Sequence, residues 1–107
     1  MSISKKQVHG LICENFNAIV GDTFDIANYD LEKLQIYGVE TASGSGSIHV
    51  EISADGVNYY KAAEIIIHGT APHNIHWLGE VISRHCRLYM NSNLTGLTLY
   101  YSATTSS

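Results

Sequence analysis

SIHVEISADGVNYY, residues 47–60, is the stretch that decides the fold. Its first half alternates apolar with polar side chains, Ile48, Val50 and Ile52 against His49, Glu51 and Ser53. A period of two residues places one set on a buried sheet face and the other on the opposite, exposed face. Asp55-Gly56 then predicts a turn, and Val57–Tyr60 predicts the start of a return strand. The stretch therefore predicts a β-hairpin in an antiparallel sheet with one buried face.

Similar signals recur along the rest of the chain at a spacing of roughly ten residues. Further strands are predicted at residues 8–14, 23–26, 34–40, 62–68, 75–82, 85–91 and 97–103, with a short apolar stretch at 16–20 and one helical turn at Leu31–Lys33. Gly, Asn, Asp and Ser mark the joins, and TASGSGS at 41–47 predicts a mobile loop. The pattern predicts an all-β fold, a single antiparallel β-sandwich or jelly-roll domain of about eight short strands.

Length and charge restrict the classes of partner. A chain of 107 residues has the size of one domain. We expect a flexible N-terminal arm at 1–7, a β-sandwich at 8–103 and a polar tail at 104–107. A formal net charge of −4 argues against a nucleic-acid-binding surface. No apolar run approaches the ~18 residues that span a bilayer, and the first ten residues lack the apolar core of a signal peptide. We expect a protein made in the cytoplasm that binds neither nucleic acid nor membrane.

The cysteines and histidines are the first candidates for a metal site. Cys13 and Cys86 are expected to be buried, reduced thiols, because the inferred compartment disfavours disulfides. His73 and His76 form an H-x-x-H pair, but this spacing shares a face only on a helix, and zinc needs three or four ligands. We therefore expect exposed, partner-facing histidines, with no metal and no cofactor.

Neither catalysis nor calcium binding is predicted. Residues 43–47, SGSGS, lie in a loop between strands and not at the strand-to-helix turn that a nucleophile elbow needs. The acidic residues Asp22, Asp25, Asp30 and Asp55 are spread over separate loops, and Asp55 is explained as a turn residue. We expect no enzyme.

Aromatic side chains supply the candidate contact surface. Trp77 and Tyr101 are in phase with buried residues and are expected in the core. Five side chains lie opposite the predicted buried faces and are the candidate partner contacts: Tyr37, Tyr89, Tyr100, His49 and Arg87. Exposed aromatic residues on a sheet face either stack on sugar rings or anchor a protein interface.

Two short motifs carry a family resemblance over about residues 22–103. Ser53–Tyr59 has the form S-x-D-G-x-N-(aromatic), and Arg87–Tyr89 has the form R-(apolar)-(aromatic). In this order they resemble the small β-sandwich virion structural proteins of tailed bacteriophages. The hairpin alone is also similar to that of discoidin-like carbohydrate-binding sandwiches.

The resemblance to virion proteins implies a structural role without catalytic residues. It favours a capsid decoration (cement) protein that binds and stabilises the head shell. Its partners would be the major capsid protein or other virion proteins, and its location the virion. Symmetric sites on a capsid favour a dimer or trimer. The alternative is a carbohydrate-binding or receptor-binding domain of a tail or fibre component.

Overall fold

The computed structural model describes residues 5–27, 31–41, 45–68 and 72–106. They form eight strands, β1 (Lys5–Ala18), β2 (Thr23–Ala27), β3 (Leu31–Glu40), β4 (Gly46–Ser53), β5 (Tyr60–Ile67), β6 (His73–Ser83), β7 (His85–Met90) and β8 (Leu94–Ser106). Parts of the predicted arm and loops, residues 1–4, 28–30, 42–44 and 69–71, lie outside the described residues, as does residue 107. No helix within the described ranges is long and apolar enough to cross a membrane.

The strands build two antiparallel sheets of four. Sheet A has the order β1-β8-β3-β6 and sheet B the order β2-β7-β4-β5. This interleaved order is that of an eight-stranded jelly roll, in which each sheet takes strands from both halves of the chain. The predicted all-β sandwich is confirmed.

The core lies between the inner faces of the two sheets. Eight of its side chains have no exposed surface: Leu34, Ile36, Ile48, Val50, Leu88, Met90, Leu97 and Leu99. Trp77 and Tyr101 pack against this cluster, as their phase predicts. Both cysteines are free and buried, and burial raises the pKa of the Cys86 thiol to about 12.

The predicted hairpin is present as β4 and β5, although the return strand begins at Tyr60 and not at Val57. The Asp55 carboxylate holds the turn together. Its Oδ1 accepts hydrogen bonds from the backbone N–H groups of Val57 at 2.8 Å and Asn58 at 2.9 Å. Its Oδ2 accepts a third from the Asn58 side-chain amide at 3.0 Å. Asp55 is therefore a turn residue, as expected.

The Asp55 carboxyl is expected to make the stability of the fold depend on pH in the acidic range. Hydrogen bonds from Asn58 and Val57 hold the pKa of the Asp55 carboxyl far below its ordinary value. This stabilisation is fully present above the unfolded-state pKa of about 3.9 and is lost as the pH falls toward the lower folded-state pKa. We expect the melting temperature to fall between about pH 4 and pH 2, with Asp55→Asn weakening that dependence. Asp25→Asn is the control, and an unchanged slope in Asp55→Asn would contradict the assignment.

Two sequence-based predictions of secondary structure are wrong. The helical turn predicted at Leu31–Lys33 is the start of β3, where Leu31 is buried and pairs with both Ser83 and Thr105. Likewise, β1 continues to Ala18, beyond the predicted end at residue 14, because register shifts and the positive φ of Asn15 interrupt its alternation without ending the strand.

The predicted arm and tail also need correction. Residues 5–7 pair with residues 104–106, so β1 and β8 both extend into segments expected to be unstructured. These ends of β1 and β8 were not predicted, because their side chains, such as Gln7 and Thr104, are mostly polar and show no apolar alternation.

Candidate interaction surface

The five predicted contact residues all lie on outer sheet faces, but on two different ones. Tyr37 and Tyr100 belong to sheet A, whereas His49, Arg87 and Tyr89 belong to sheet B. The two outer faces are on opposite sides of the sandwich. The five residues therefore do not form one site, and the faces have to be compared.

The outer face of sheet A carries a row of side chains across all four strands. The register places Leu11, Tyr100, Tyr37 and His76 side by side, and we call these four residues the aromatic row. The Tyr37 and Tyr100 rings stack with centroids 5.5 Å apart and planes 19° apart. Each tyrosine thus covers one ring face of the other.

Two further rows continue this face with little charge. The first consists of His9, Ser102, Gln35 and Leu78, and the second of Gln7, Thr104, Lys33 and Glu80. The formal charges in the three rows are Lys33 and Glu80, which stand opposite each other on β3 and β6. Leu11 is 52% exposed and Leu78 is 64% exposed. Depletion of charge with exposed aromatic and apolar side chains is typical of the centre of a protein interface.

The outer face of sheet B is built differently, because most of its charged side chains pair with one another. Arg87 Nε donates to Glu51 at 2.8 Å, and its guanidinium lies 3.8 Å from the centroid of the Tyr59 ring. Glu64 bonds both His49 at 3.1 Å and Lys61 at 3.3 Å. The His49 ring stacks on Tyr89 at 5.9 Å. Such a network is suited to water, so sheet A is the better candidate for contact with a partner.

The same network joins the two motifs on which the predicted resemblance was based. Tyr59 ends the S-x-D-G-x-N-(aromatic) hairpin, and Arg87 begins the late strand motif. The cation–π contact between them ties the β4–β5 hairpin to β7. These motif residues therefore stabilise sheet B, and the resemblance rests on side chains that shape the fold.

The H-x-x-H histidines lie on opposite faces, as a strand requires. His76 is exposed, but the expectation of an exposed His73 is wrong, since this side chain is 6% exposed. His73 Nδ1 donates to Glu40 Oε1 at 2.9 Å, and the backbone N–H of Thr95 donates to Glu40 Oε2 at 3.2 Å. Sequence reasoning missed Glu40, although its phase with Leu34 and Ile36 on β3 places it inward. No group of three His, Cys, Asp or Glu side chains in the described ranges is placed to hold a metal ion.

Two open grooves lie on the side of the sandwich where β5 and β6 form the sheet edges. One, of about 390 Å³, is lined by Ile65–His68 and Pro72–His76. The other, also about 390 Å³, is lined by Ile52–Ala54, Tyr60 and Ile82–Arg84. This side exposes large apolar side chains, including Tyr60 at 69% and Ile82 at 81%.

Comparison with known proteins gives a likeness of fold. No family model matches the chain, and no curated protein matches it. A solved structure from the disulfide-linked pili that form Bacillus endospore appendages is similar, with a TM-score of 0.54 and 10% sequence identity. The match covers 96% of this chain and 90% of that chain. At this identity it supports the sandwich architecture.

Proposed function

We propose that the protein is a non-enzymatic structural subunit that docks onto a larger protein particle through the outer face of sheet A. The aromatic row is the observation that carries this proposal. It places two stacked tyrosines and an exposed leucine on a face with little charge, while most charged side chains on the outer face of sheet B pair with one another. Tyrosine is enriched at interfaces because it buries a large area at low cost in conformational entropy.

The specific form that we propose is a bacteriophage capsid decoration protein. The resemblance of the Ser53–Tyr59 and Arg87–Tyr89 motifs supports this form. The major capsid protein would be the partner and the virion the location. Four strands about 4.8 Å apart and about eight residues long give a face of roughly 500 Å². Together with its partner this buries roughly 1,000 Å², which reaches the lower limit of specific interfaces.

The fold likeness to the appendage pili favours a second candidate, a fibre subunit. The match covers nearly the whole chain, so the same sandwich serves in a structural assembly elsewhere. Cys13 is 8% exposed and Cys86 is 1% exposed. A fibre of this chain would therefore be held by contacts other than disulfides from these two thiols.

Carbohydrate binding stays the third possibility for the sheet A face. Sugar rings stack on open aromatic faces. Tyr37 and Tyr100 already cover one face of each other. If the wild-type chain binds a sugar in a glycan screen and Tyr37→Ser abolishes that binding, carbohydrate binding becomes the better-supported function.

The test is binding of the purified chain to phage particles that lack it, followed by cryo-electron microscopy. We expect Tyr37→Lys to reduce particle binding by roughly a hundredfold, as loss of a central interface residue does. Tyr60→Lys is the matched control, since Tyr60 is exposed but lies on sheet B. Circular dichroism verifies folding of both variants. Equal loss in both variants, or chain density that contacts the particle through sheet B, would overturn the proposed surface.

A further inference from the structure

The two sheets have four edge strands, and three of them carry features that prevent pairing with another chain. Strand β1 has three register shifts, and β2 has only five residues. Strand β5 is interrupted by a register shift and carries Lys61 and Glu64. Bulges, short length and edge charges are the usual means by which proteins block sheet edges.

Strand β6 has fewer of these features. It has eleven residues, and its pairing with β3 is regular from His73 to Glu80, with one register shift between Glu80 and Ser83. Its single formal charge is Glu80, and it contains no proline. Leu78 and Ile82 are exposed on it, and within the described ranges its only strand partner is β3. A long, regular, apolar edge of this kind is a template for a further strand.

The sequence of β6 is complementary to itself in antiparallel orientation. Leu78 is the midpoint of β6, so a twofold axis at Leu78 sets each of its eleven residues opposite a residue of the second copy. The register shift beyond Glu80 then lies near the two ends of the paired segment. On the outer face, His76 then stands opposite Glu80 of the second copy, twice per pair. On the inner face, Ile75 stands opposite Val81, and the Trp77 ring of each copy stays over Gly79 of its own strand. Cross-strand pairs of opposite charge stabilise a sheet.

Other registers are poorer. A shift of the β6–β6 register by one residue would set side chains of the inner sheet face opposite side chains of the outer face. This register is excluded, because it would turn buried side chains outward. An axis at Trp77 places Glu80 opposite Asn74, and an axis at Gly79 places it opposite Leu78. Both lose the two His76–Glu80 pairs and leave the ends of the strand unpaired.

The hydrogen bonding of His76 suits the proposed pairing. The Gln35 amide nitrogen lies 2.8 Å from His76 Nε2. This contact occupies Nε2 of the ring. Nδ1 is the ring nitrogen that remains to face the Glu80 carboxylate of the second copy.

We infer that β6 pairs with β6 of a second copy about a twofold axis at Leu78, which joins two A sheets into one sheet of eight strands. The contact is between identical surfaces and closes at two copies. It lies at the edge of sheet A and leaves Leu11, Tyr100 and Tyr37 of each copy exposed for a particle.

Cross-linking of a cysteine at position 78 tests this inference directly. Residues directly opposite in an antiparallel pair have Cα atoms about 4.5–5.5 Å apart, which suits a disulfide. We expect Leu78→Cys to form a covalent dimer under mild oxidation, while wild type, whose two thiols are buried, forms none. Ile82→Cys is the matched control on the same strand, because its two copies would lie about 26 Å apart along the strands. Equal cross-linking in both variants would indicate random collision and overturn the register.

Charge exchange gives a second test without cysteines. His76→Glu sets two acidic side chains opposite each other and is expected to weaken dimerisation in sedimentation experiments by about tenfold. Adding Glu80→Lys should restore the dimer, because residue 76 of one copy meets residue 80 of the other. A wild-type chain that sediments as a monomer at every concentration reached would overturn the inference. The proposed function is tested separately. A monomer that binds particles would contradict only the dimer, and a dimer that binds no particles would contradict only the proposed function.

Discussion

Val50→Asp is expected to leave the chain unfolded. Val50 has no exposed surface and lies in central strand β4, opposite Leu88 of β7 and Ala63 of β5. A carboxylate there would be buried without a partner, which costs several kcal/mol or more. Domains of this size are stable by about 5–15 kcal/mol, so the loss removes most or all of the margin. Circular dichroism and the soluble yield measure the outcome.

Val57→Asp is the matched control for this experiment. The same substitution falls at a valine that is 78% exposed in the hairpin turn. We expect a melting temperature close to that of wild type. A folded Val50→Asp with wild-type stability would show that β4 does not have the assigned inner face.

Loss of the Glu40 carboxylate is expected to have the second-largest effect. Glu40 is 2% exposed and accepts hydrogen bonds from the His73 ring and the Thr95 backbone. Glu40→Ala removes both acceptors and leaves a cavity beside the polar groups. Breaking a buried pair on one side costs about 3–5 kcal/mol, because the remaining group stays in a dry environment. Urea unfolding with a fixed m-value measures the loss in the free energy of unfolding.

Two further variants separate this pair from general damage. Glu40→Gln keeps an acceptor and most of the side-chain volume, so its loss should be smaller. In a double-mutant cycle with His73→Ala, the double variant should lose less free energy of unfolding than the sum of the losses in the two single variants. Additive losses would mean that Glu40 and His73 stabilise the fold independently, and a loss below about 1 kcal/mol in Glu40→Ala would place the carboxylate in water.

Sequence patterns predicted the strands in which alternation is uninterrupted. Ile48 and Val50 of β4, and Cys86, Leu88 and Met90 of β7, point inward because both strands lie inside sheet B with one face on the core. The pattern failed where a strand departs from the period of two. The bulges near Asn15 interrupt the alternation of β1, and three residues at Leu31–Lys33 are too few to distinguish a strand from a helical turn.

The candidate site was predictable only in part. Alternation along one strand predicts which sheet face a side chain lies on, but not which strands lie beside it. Phase alone placed Tyr37 and Tyr100 on an outer face, and the structure confirms it. That they stack, and that Tyr89 lies on the other sheet, depends on the strand orders β8-β3 and β7-β4. Sequence spacing carries no information on which distant strands become neighbours. The buried position of His73 likewise required knowing that β6 begins there, beside Glu40 of β3.

The pairing of the first strand with the last sets the order in which this chain can fold during synthesis. Lys5 pairs with Ser106, and β1 has no other strand partner within the described residues. At about 5–20 residues per second, a ribosome needs roughly 5–20 s to make the residues between them. During that interval β1 lacks the strand with which it pairs within the described residues. The nascent chain therefore cannot complete sheet A until β8 has been made and pairs with β1. Pairings between strands so distant in sequence also form slowly, in milliseconds to seconds.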